Sequence, residues 1–362
     1  MEDFSKYIAP ERRAVPTPDD LVKNGECVFG TFDREFKTMN LLDLKHPTHL
    51  PKSANKNKCT LWEAMEVHLK QGYMLSVVCD MGVFGVCFCL FFDFRKNKLF
   101  QWYYQVPHKQ IKVAPNLLNG SEFSHQGKKC RNKYINNLEK GQITQCSFFS
   151  DKKMGTIETD LVLTRFSKPS VVSIPFAKDR QRPLYSQKDL FNVKGKIILN
   201  GEVFETDDSS MAVIDDHRGY YPRRMHYDWL TFFGVNNGEK IGFNLTRNQS
   251  IDQDKYNENL IWLKDDTSLL PPVTFDHRGF KTIKFEGENT PMAWTIKDEH
   301  DMVNLVFSFE GVYKNILHLA PIVRIDYFVM FGKITGYIRK ENGEKIEFVN
   351  ADAMAEDKDM CF

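Results

Sequence analysis

The sequence has no excess charge of either sign and few cysteines, and these shortages exclude several classes of protein. Its 49 Lys and Arg are balanced by 48 Asp and Glu, for a formal net charge of +1, with no domain-sized basic block. Nucleic-acid binding needs clustered Lys and Arg, so we expect no nucleic-acid partner. Eight cysteines in 362 residues do not make a small-domain disulfide framework, and we expect them to be reduced thiols.

Signals for export and for membrane insertion are also lacking. The first sixteen residues are polar and contain no apolar run, so no secretory signal is visible and a cytoplasmic location is expected. One apolar run, 73–92, is long enough to cross a bilayer, but it contains Asp80 and is interrupted by Gly82 and Gly85. That pattern predicts two strands around a turn, so no integral membrane span is predicted.

Short motifs that hold cofactors or metals are missing as well. The chain has no glycine-rich phosphate loop, no Gly-x-Ser-x-Gly, no His-Glu-x-x-His and no paired Cys-x-x-Cys. His46 and His49 lie three apart in a Pro-flanked loop without an obvious third ligand, so no metal and no cofactor are predicted. The tetrad Asp-His-Arg-Gly occurs at 216–219 and at 276–279; its flanks differ, and we interpret the repetition as coincidence.

Strand signals are abundant. The 29 Phe and 13 Tyr favour strands, and Asn-Gly pairs at 200–201, 237–238 and 342–343 separate alternating runs, as in tight hairpins. The segment 60–70 is open to two interpretations, because its apolar residues alternate as in a strand while Thr60 and Glu63 could cap a helix. The polar, Gly-containing stretch 116–137 predicts a long surface loop.

These patterns predict an all-β protein with few short helices. Short strands without helical segments between them indicate antiparallel β-barrels or sandwiches, and 362 residues suit two domains. The polar segment 178–188, broken by Pro183, is the predicted boundary. We therefore predict one β domain over residues 1–185 and a second over residues 186–362.

Residues 212–262 carry most of the functional information. Gly219 and Pro222 indicate a structured turn between strands, around which charged and aromatic side chains crowd together. Such a mixture suits a polar cluster at a pocket, and a buried Arg–Asp network without a ligand is the alternative. The members are Asp215, Asp216, His217, Arg218, Arg223, Arg224, His226, Asp228, Tyr220, Tyr221, Tyr227 and Trp229.

The order of several sequence blocks resembles the bacterial and protist family catalogued as domain of unknown function 2804. The chain departs from the family pattern at Asp216-His217, where Trp and a small residue are usual, and at Arg223, where an aromatic residue or Thr is common. The matching blocks are Tyr185-Ser186-Gln187-Lys188, Val213-Ile214-Asp215 with Arg218-Gly219 and Pro222, Trp229, Gly242-Phe243-Asn244-Leu245, Glu258-Asn259, Phe331 to Gly336, and Ala355-Glu356.

The resemblance implies a fold but no settled activity. The family is similar in fold to a calycin-like group of two-domain, lipocalin-like proteins, which includes carotenoid hydratases, tocopherol cyclase and lipid-binding stress-survival proteins. By this fold-level analogy, two lipocalin-like halves would enclose a pocket for an apolar, lipid or isoprenoid-like molecule.

Three functions follow as hypotheses. The first is binding of an apolar small molecule without chemistry; the second is a hydratase or cyclase that uses a buried carboxylic acid; the third is a protein-interaction module with packed barrels. Asp215 and Glu258 are the candidate catalytic acids, with Arg218 orienting, although a nearby Arg would oppose protonation. The candidate ligand-binding residues are Arg218, Tyr220, Tyr221, Arg223, Trp229, Asn244 and Asn259.

Overall fold

The computed structural model describes residues 2–176, 182–277, 293–319 and 323–361 and confirms a mostly β protein. The chain divides into two compact units, which we call the barrel unit (Arg13–Pro222) and the half-barrel unit (Met1–Arg12 with Arg223–Phe362). Helices within the described residues are short: the α-helix α1 (Lys52–Asn55) and 3-10 helices at Ser5–Tyr7, Pro10–Arg12, Leu41–Asp43, Lys56–Lys58, His108–Gln110 and Leu138–Lys140.

The barrel unit is built from seventeen described strands. In chain order they are β1 (Val22–Lys23), β2 (Glu26–Cys27), β3 (Gly30–Phe32), β4 (Thr60–Leu69), β5 (Gly72–Asp80), β6 (Phe84–Asp93), β7 (Lys98–Pro107), β8 (Ile111–Lys112), β9 (Ser121–Gln126), β10 (Cys130–Asn137), β11 (Gln142–Asp151), β12 (Gly155–Arg165), β13 (Val171–Pro175), β14 (Pro183–Gln187), β15 (Leu190–Leu199), β16 (Glu202–Glu205) and β17 (Met211–Gly219).

All but β1 and β2, which pair with each other, join one antiparallel sheet. Its main path runs β7-β6-β5-β4-β17-β15-β12-β11-β10-β9-β8, and β14 pairs with both β13 and β17. Tyr185 lies opposite Arg218 in the β14–β17 pair, so the predicted boundary at residues 185/186 falls inside this sheet. The compact units instead meet in sequence at Pro222 and Arg223.

The sheet of the barrel unit curls so that its opposite walls meet inside. Side chains of β10 reach across to β4 and β5: Asn132 Nδ2 donates to Ser76 Oγ at 2.9 Å, and Asn136 Nδ2 donates to Glu63 Oε1 at 2.8 Å. Tyr134 donates to the Ser76 carbonyl oxygen at 2.7 Å. Where these contacts cross the barrel, its interior is occupied by side chains, as in a small packed barrel.

The half-barrel unit contains one nine-stranded antiparallel sheet in the order β21-β20-β19-β18-β26-β25-β24-β23-β22. Its apolar core gathers aromatic side chains, including Phe232, Phe243 and Trp294. The strands are β18 (Arg224–Asn236), β19 (Glu239–Arg247), β20 (Leu260–Leu263), β21 (Asp266–Leu269), β22 (Thr274–Asp276), β23 (Ala293–Lys297), β24 (Val303–Leu319), β25 (Val323–Arg339) and β26 (Lys345–Cys361).

The first residues of the chain complete the half-barrel unit. Phe4 N–H donates to the Glu341 carbonyl oxygen at 2.8 Å. The buried Arg12 guanidinium donates to the carbonyl oxygens of Leu270, at 3.1 Å, and of Asn259, at 3.0 Å. A buried cation with several carbonyl acceptors ties this segment firmly to the sheet.

Most local predictions agree with the structure. Asn200-Gly201 and Asn237-Gly238 adopt positive φ at both residues, as the hairpin prediction requires, whereas at 342–343 only Gly343 does. The run 73–92 forms β5 and β6 around a turn, as predicted. None of the eight cysteines forms a disulfide. Within the described ranges, no helix is both long and apolar enough to cross a bilayer.

Two local predictions need correction. The helix alternative for 60–70 is wrong, because that segment is β4, which pairs with β5 on one side and β17 on the other. The predicted loop at 116–137 is also wrong, because it contains β9 and the whole of β10. The polar residues at alternate positions of β10 are buried inside the barrel, where they hydrogen-bond with partners such as Ser76. Their polarity therefore does not indicate exposure to solvent.

One arginine serves two carboxylates inside the barrel. Glu63 and Asp216 lie opposite each other on β4 and β17 and are 2% and 0% exposed. Arg218 donates to both oxygens of Asp216, from Nε at 2.8 Å and from Nη2 at 3.0 Å. Burial raises the pKa of Glu63 well above its usual value, the Asp216 charge raises it further, and Asn136 and Arg218 only partly offset this. Burial also raises the pKa of Asp216, but the charge and hydrogen bonds of Arg218 oppose this, so Glu63 is the member of the pair that keeps its proton to the higher pH.

Glu63→Gln is expected to stabilise the barrel unit increasingly as the pH rises. The pKa of Glu63 in the folded state lies above its ordinary value of 4.5, so the stability it contributes is complete below that value and is lost as the pH rises through the folded pKa. Gln cannot ionise, so near pH 8 the variant should gain on the order of 1 kcal/mol in free energy of unfolding. Urea unfolding at a series of pH values measures this.

Glu158→Gln is the matched control, because Glu158 is exposed on β12 of the same sheet. It should show the pH dependence of the unaltered protein. If the difference between Glu63→Gln and the unaltered protein stays constant between about pH 5 and 8, Glu63 is not protonated as proposed.

Candidate functional site

The pairing of β14 with β17 assembles a polar cluster on the face of the sheet opposite the barrel interior, which we call the outer face. Ser186 lies directly across from His217, and Lys188 follows the end of β14. Asp215 shares its face with His217 because side chains two apart on a strand point the same way. We call Ser186, Lys188, Asp215 and His217 the Asp215 cluster.

The Asp215 cluster is buried and its polar atoms lie close together. Asp215 and Lys188 are 6% and 4% exposed. His217 Nε2 lies 3.1 Å from Asp215 Oδ1 and 2.9 Å from Ser186 Oγ, and Lys188 Nζ lies 3.8 Å from Asp215 Oδ1. An imidazole and an ammonium group are suitable partners for a buried carboxylate, and groups of this kind supply acid–base chemistry.

This geometry differs from a Ser-His-Asp triad. In a triad the two ring nitrogens of the histidine face the serine and the carboxylate separately, so that a proton leaves the serine. Here the same nitrogen, His217 Nε2, faces both Ser186 and Asp215. The arrangement therefore favours orientation of the imidazole over activation of the serine as a nucleophile.

An aromatic row borders the Asp215 cluster on the outer face. Trp62 on β4 lies opposite His217 in the register of the sheet. Its ring packs edge-to-face on Phe88 of β6 at 5.8 Å between centroids, and Phe88 stacks on Tyr103 of β7 at 6.2 Å. A few polar groups beside an apolar wall are typical of small-molecule sites.

Arg218, which the sequence suggested as an orienting group for Asp215, belongs to the opposite face. Residues three apart on a strand point to opposite sides, so Arg218 points into the barrel with Asp216. Its Nη1 donates to the Ala114 carbonyl oxygen at 2.6 Å. Burial alone would lower the pKa of Arg218, but the charge and hydrogen bonds of Asp216 raise it, so the cation persists. Arg218 and Asp216 thus form a buried network that joins structural elements.

The neighbouring tyrosines differ in burial. Tyr220 is buried, and burial raises the pKa of its hydroxyl, which lies within hydrogen-bonding reach of Cys59. Tyr221 is half-buried and packs on Phe176 with 5.4 Å between ring centroids. Arg223 is exposed and begins the half-barrel part of the chain.

The other predicted residues lie in the half-barrel unit and hold its loops. Trp229 Nε1 donates to Asn244 Oδ1 at 2.6 Å, and Asn244 Nδ2 donates to the Glu258 carbonyl oxygen at 2.9 Å. The Asn259 side chain accepts from Thr246 N–H at 2.7 Å and donates to the Pro271 carbonyl oxygen at 3.0 Å. The buried Glu258 carboxylate accepts from Asn248 at 3.4 Å.

The predicted residues are therefore divided between the units. Asp215, Arg218, Tyr220 and Tyr221 belong to the barrel unit, and Arg223, Trp229, Asn244, Glu258 and Asn259 to the half-barrel unit. The sequence interpretation included His217 in the crowded polar cluster but gave it no role, and it did not assign Ser186 and Lys188 to a site. Blocks 185–188 and 213–219 both resemble the family pattern. Treating them as adjacent strands, as the structure pairs them, would have brought these three residues together.

Comparison with known proteins identifies the family. The family model described as "Domain of unknown function (DUF2804)" matches residues 12–362. The chain belongs to this family. A search of curated proteins found no match for this DUF2804 member. Its structure is similar to a crystal structure of kievitone hydratase from Nectria haematococca, with a TM-score of 0.48 and 10% sequence identity over 84% of this chain and 88% of that chain. Its function must be inferred from its own residues.

Arg218→Met should destabilise this DUF2804 protein by about 3–5 kcal/mol, because it leaves the Asp216 carboxylate buried and uncompensated. Arg223→Met is the matched control, since Arg223 is exposed, and should change the free energy of unfolding by less than about 0.5 kcal/mol. Chemical unfolding measures both. The double variant Arg218→Met, Asp216→Asn should recover part of the loss. If Arg218→Met and Arg223→Met had equal free energies of unfolding, the proposed stabilising role of the Asp216–Arg218 network would be contradicted.

Proposed function

We propose that this DUF2804 protein is an acid–base enzyme that binds an apolar small molecule on the outer face of the barrel unit. The observation that carries the proposal is the buried Asp215 cluster beside the aromatic row of Trp62, Phe88 and Tyr103. Apolar contact area and a few fixed polar groups are the two components such a site requires.

The outer face suits the ligand better than the barrel interior. Contacts such as Asn132–Ser76 and Asn136–Glu63 bridge opposite walls of the barrel and occupy the space that a lipocalin-type ligand would need. The aromatic row of Trp62, Phe88 and Tyr103 lies on the other face of the sheet, and its rings supply apolar contact area that suits lipid or isoprenoid-like molecules.

His217 is the proposed proton carrier. Asp215 Oδ1 lies 3.1 Å from His217 Nε2 and helps to hold the ring in place, and the imidazole is the group that exchanges a proton with the substrate. Lys188 supplies a nearby positive charge for an oxygen that becomes negative in the transition state. Addition or removal of water, or isomerisation, needs these groups and no cofactor.

Binding without chemistry is the second candidate, and the same aromatic row favours it. In that case Lys188 and Ser186 would hold the polar end of the ligand while the rings contact its apolar part. Catalysis with Glu258 as the acid is the third candidate, and it remains a prediction. The experiments below separate the three.

The first measurement is native mass spectrometry of the freshly purified protein, with its organic extract analysed in parallel. A bound lipid or isoprenoid-like species is expected, and fatty acids and isoprenoid alcohols serve as added probes. Trp62→Ala should weaken probe binding by about tenfold, because it removes a large apolar contact. No uptake of any probe by the unaltered protein would contradict an apolar site.

Turnover of the identified ligand then tests the chemistry. His217→Asn and Asp215→Asn should each lower kcat by about 10²–10⁴-fold while changing affinity little, because they remove proton transfer or its orientation. Glu258→Gln should leave kcat unchanged. Loss of turnover only in Glu258→Gln would move the acid to Glu258. Ligand binding without any turnover would support the second candidate.

A further inference from the structure

A second carboxyl group lies on the outer face of the barrel unit and has no part in the proposed function. Glu66 is on β4, two residues from Ala64 and four from Trp62, so all three side chains point to the outer face. Glu63, three residues away, points into the barrel instead. Glu66 is 0% exposed, and because burial of an ionisable group costs free energy, such a position is a candidate for function.

The register of β4 and β17 places Glu66 beside the Asp215 cluster. Ala64 is the direct cross-strand partner of Asp215, and Val213 is the direct partner of Glu66. Glu66 and Asp215 are therefore diagonal neighbours on one face, and such neighbours lie about 7–8 Å apart in an antiparallel pair, within reach of long side chains. Glu66 is thus a further charged member of the region that contains the Asp215 cluster.

The in-register neighbours of Glu66 are apolar. Val213 lies opposite it on β17 and Leu75 lies opposite it on β5, and both are 0% exposed. Ala64 carries only a methyl group between the larger side chains of Trp62 and Glu66, so the sheet surface is lowest at that point. Apolar surroundings of this kind strengthen the interaction of a carboxylate with a reacting group.

Strand β17 separates Glu66 from the positive charge of the Asp215 cluster. It pairs with β4, which carries Glu66, on one side and with β14, which Lys188 follows, on the other. Lys188 Nζ lies 3.8 Å from Asp215 Oδ1, and His217 Nε2 lies 3.1 Å from the same oxygen. The outer face therefore carries an ammonium group, an imidazole and a second carboxyl group from three different segments of the chain.

We infer that Glu66 is a second acid–base group of this site and that the substrate is an apolar molecule with an α,β-unsaturated carbonyl group; the inference rests on the proposed function. Addition of water to such a molecule requires a base for the water, a positive charge beside the carbonyl oxygen and an acid for the α-carbon. Glu66, Lys188 and His217 supply these three in that order.

Atoms and charge balance in this addition. Glu66 takes a proton from water as the water oxygen bonds to the β-carbon, and the electron pair of the double bond moves to the carbonyl oxygen beside Lys188. The enolate then takes a proton at its α-carbon from protonated His217, and the carbonyl group forms again. The proton held by Glu66 returns to His217, so the protein is unchanged after each turnover.

Hydration of trans-3-decen-2-one and of pulegone by the full-length protein, followed as loss of the ultraviolet absorption of the enone, tests the inference. Glu66→Gln should lower kcat by about 10²–10⁴-fold, because it removes the base that activates water. Glu66→Asp keeps a carboxyl group and should recover part of the rate. Glu63→Gln is the matched control, since Glu63 is buried on the same strand with its side chain on the opposite face, and it should leave kcat unchanged.

Hydrogen exchange at the α-carbon separates a catalytic role of Glu66 from a structural one. The hydrated product of the first enone, 4-hydroxydecan-2-one, should take up deuterium from D₂O at the carbon between its carbonyl and hydroxyl carbons, because His217 removes that proton without help from Glu66. Glu66→Gln should keep this exchange while it loses hydration. His217→Asn should lose both.

The outcomes distinguish this inference from the proposed function. Glu66 is not the base if Glu66→Gln hydrates both enones as fast as the unaltered protein, or if it loses α-carbon exchange together with hydration. If the unaltered protein neither hydrates the enones nor exchanges the α-proton, the substrate class is wrong, and the proposed function is then decided by the ligand found in the organic extract. If His217→Asn keeps the exchange, the proposed function itself fails.

Discussion

The organisation of the barrel unit depends on the two-residue alternation of β17. Asp215 and His217 point to the outer face, while Asp216 and Arg218 point into the barrel. One strand therefore contributes to both the candidate functional site and a structural network, separated only by the thickness of the sheet. The interior pair of Asp216 and Arg218 is well satisfied by hydrogen bonds. It can hold the strand rigidly, and rigid support is what an acid–base cluster on the other face requires.

Much of the fold was predictable because its signals are local. Asn200-Gly201 and Asn237-Gly238 specify tight turns through backbone conformation alone, and the structure has both. The signals that misled are those whose meaning depends on distant partners. Glu63 looks like a helix-capping residue until its partner Asn136, far along the chain, is known. Likewise, the polar residues of β10 indicate a loop unless Ser76 is placed across the barrel from them.

The candidate site was only partly predictable for the same reason. Asp215 stood out from composition, but the other members Ser186 and Lys188 come from β14 and the residue that follows it, and only the β14–β17 pairing brings them together. Sequence proximity to Arg218 suggested an ion pair that strand geometry does not allow. Crowding between 212 and 262 also hid a change of unit at Arg223, because composition does not reveal which sheet a strand joins.

The half-barrel unit is discontinuous in sequence, and this has a consequence for synthesis. Residues 2–12, including Phe4 and the buried Arg12, precede the barrel unit in the chain, yet their partners Glu341, Leu270 and Asn259 all follow it. The whole barrel unit emerges from the ribosome in between, and domains generally fold as they emerge. The N-terminal segment can therefore dock only after the barrel unit and the strands that hold the segment have been made, so its docking is a late step in folding.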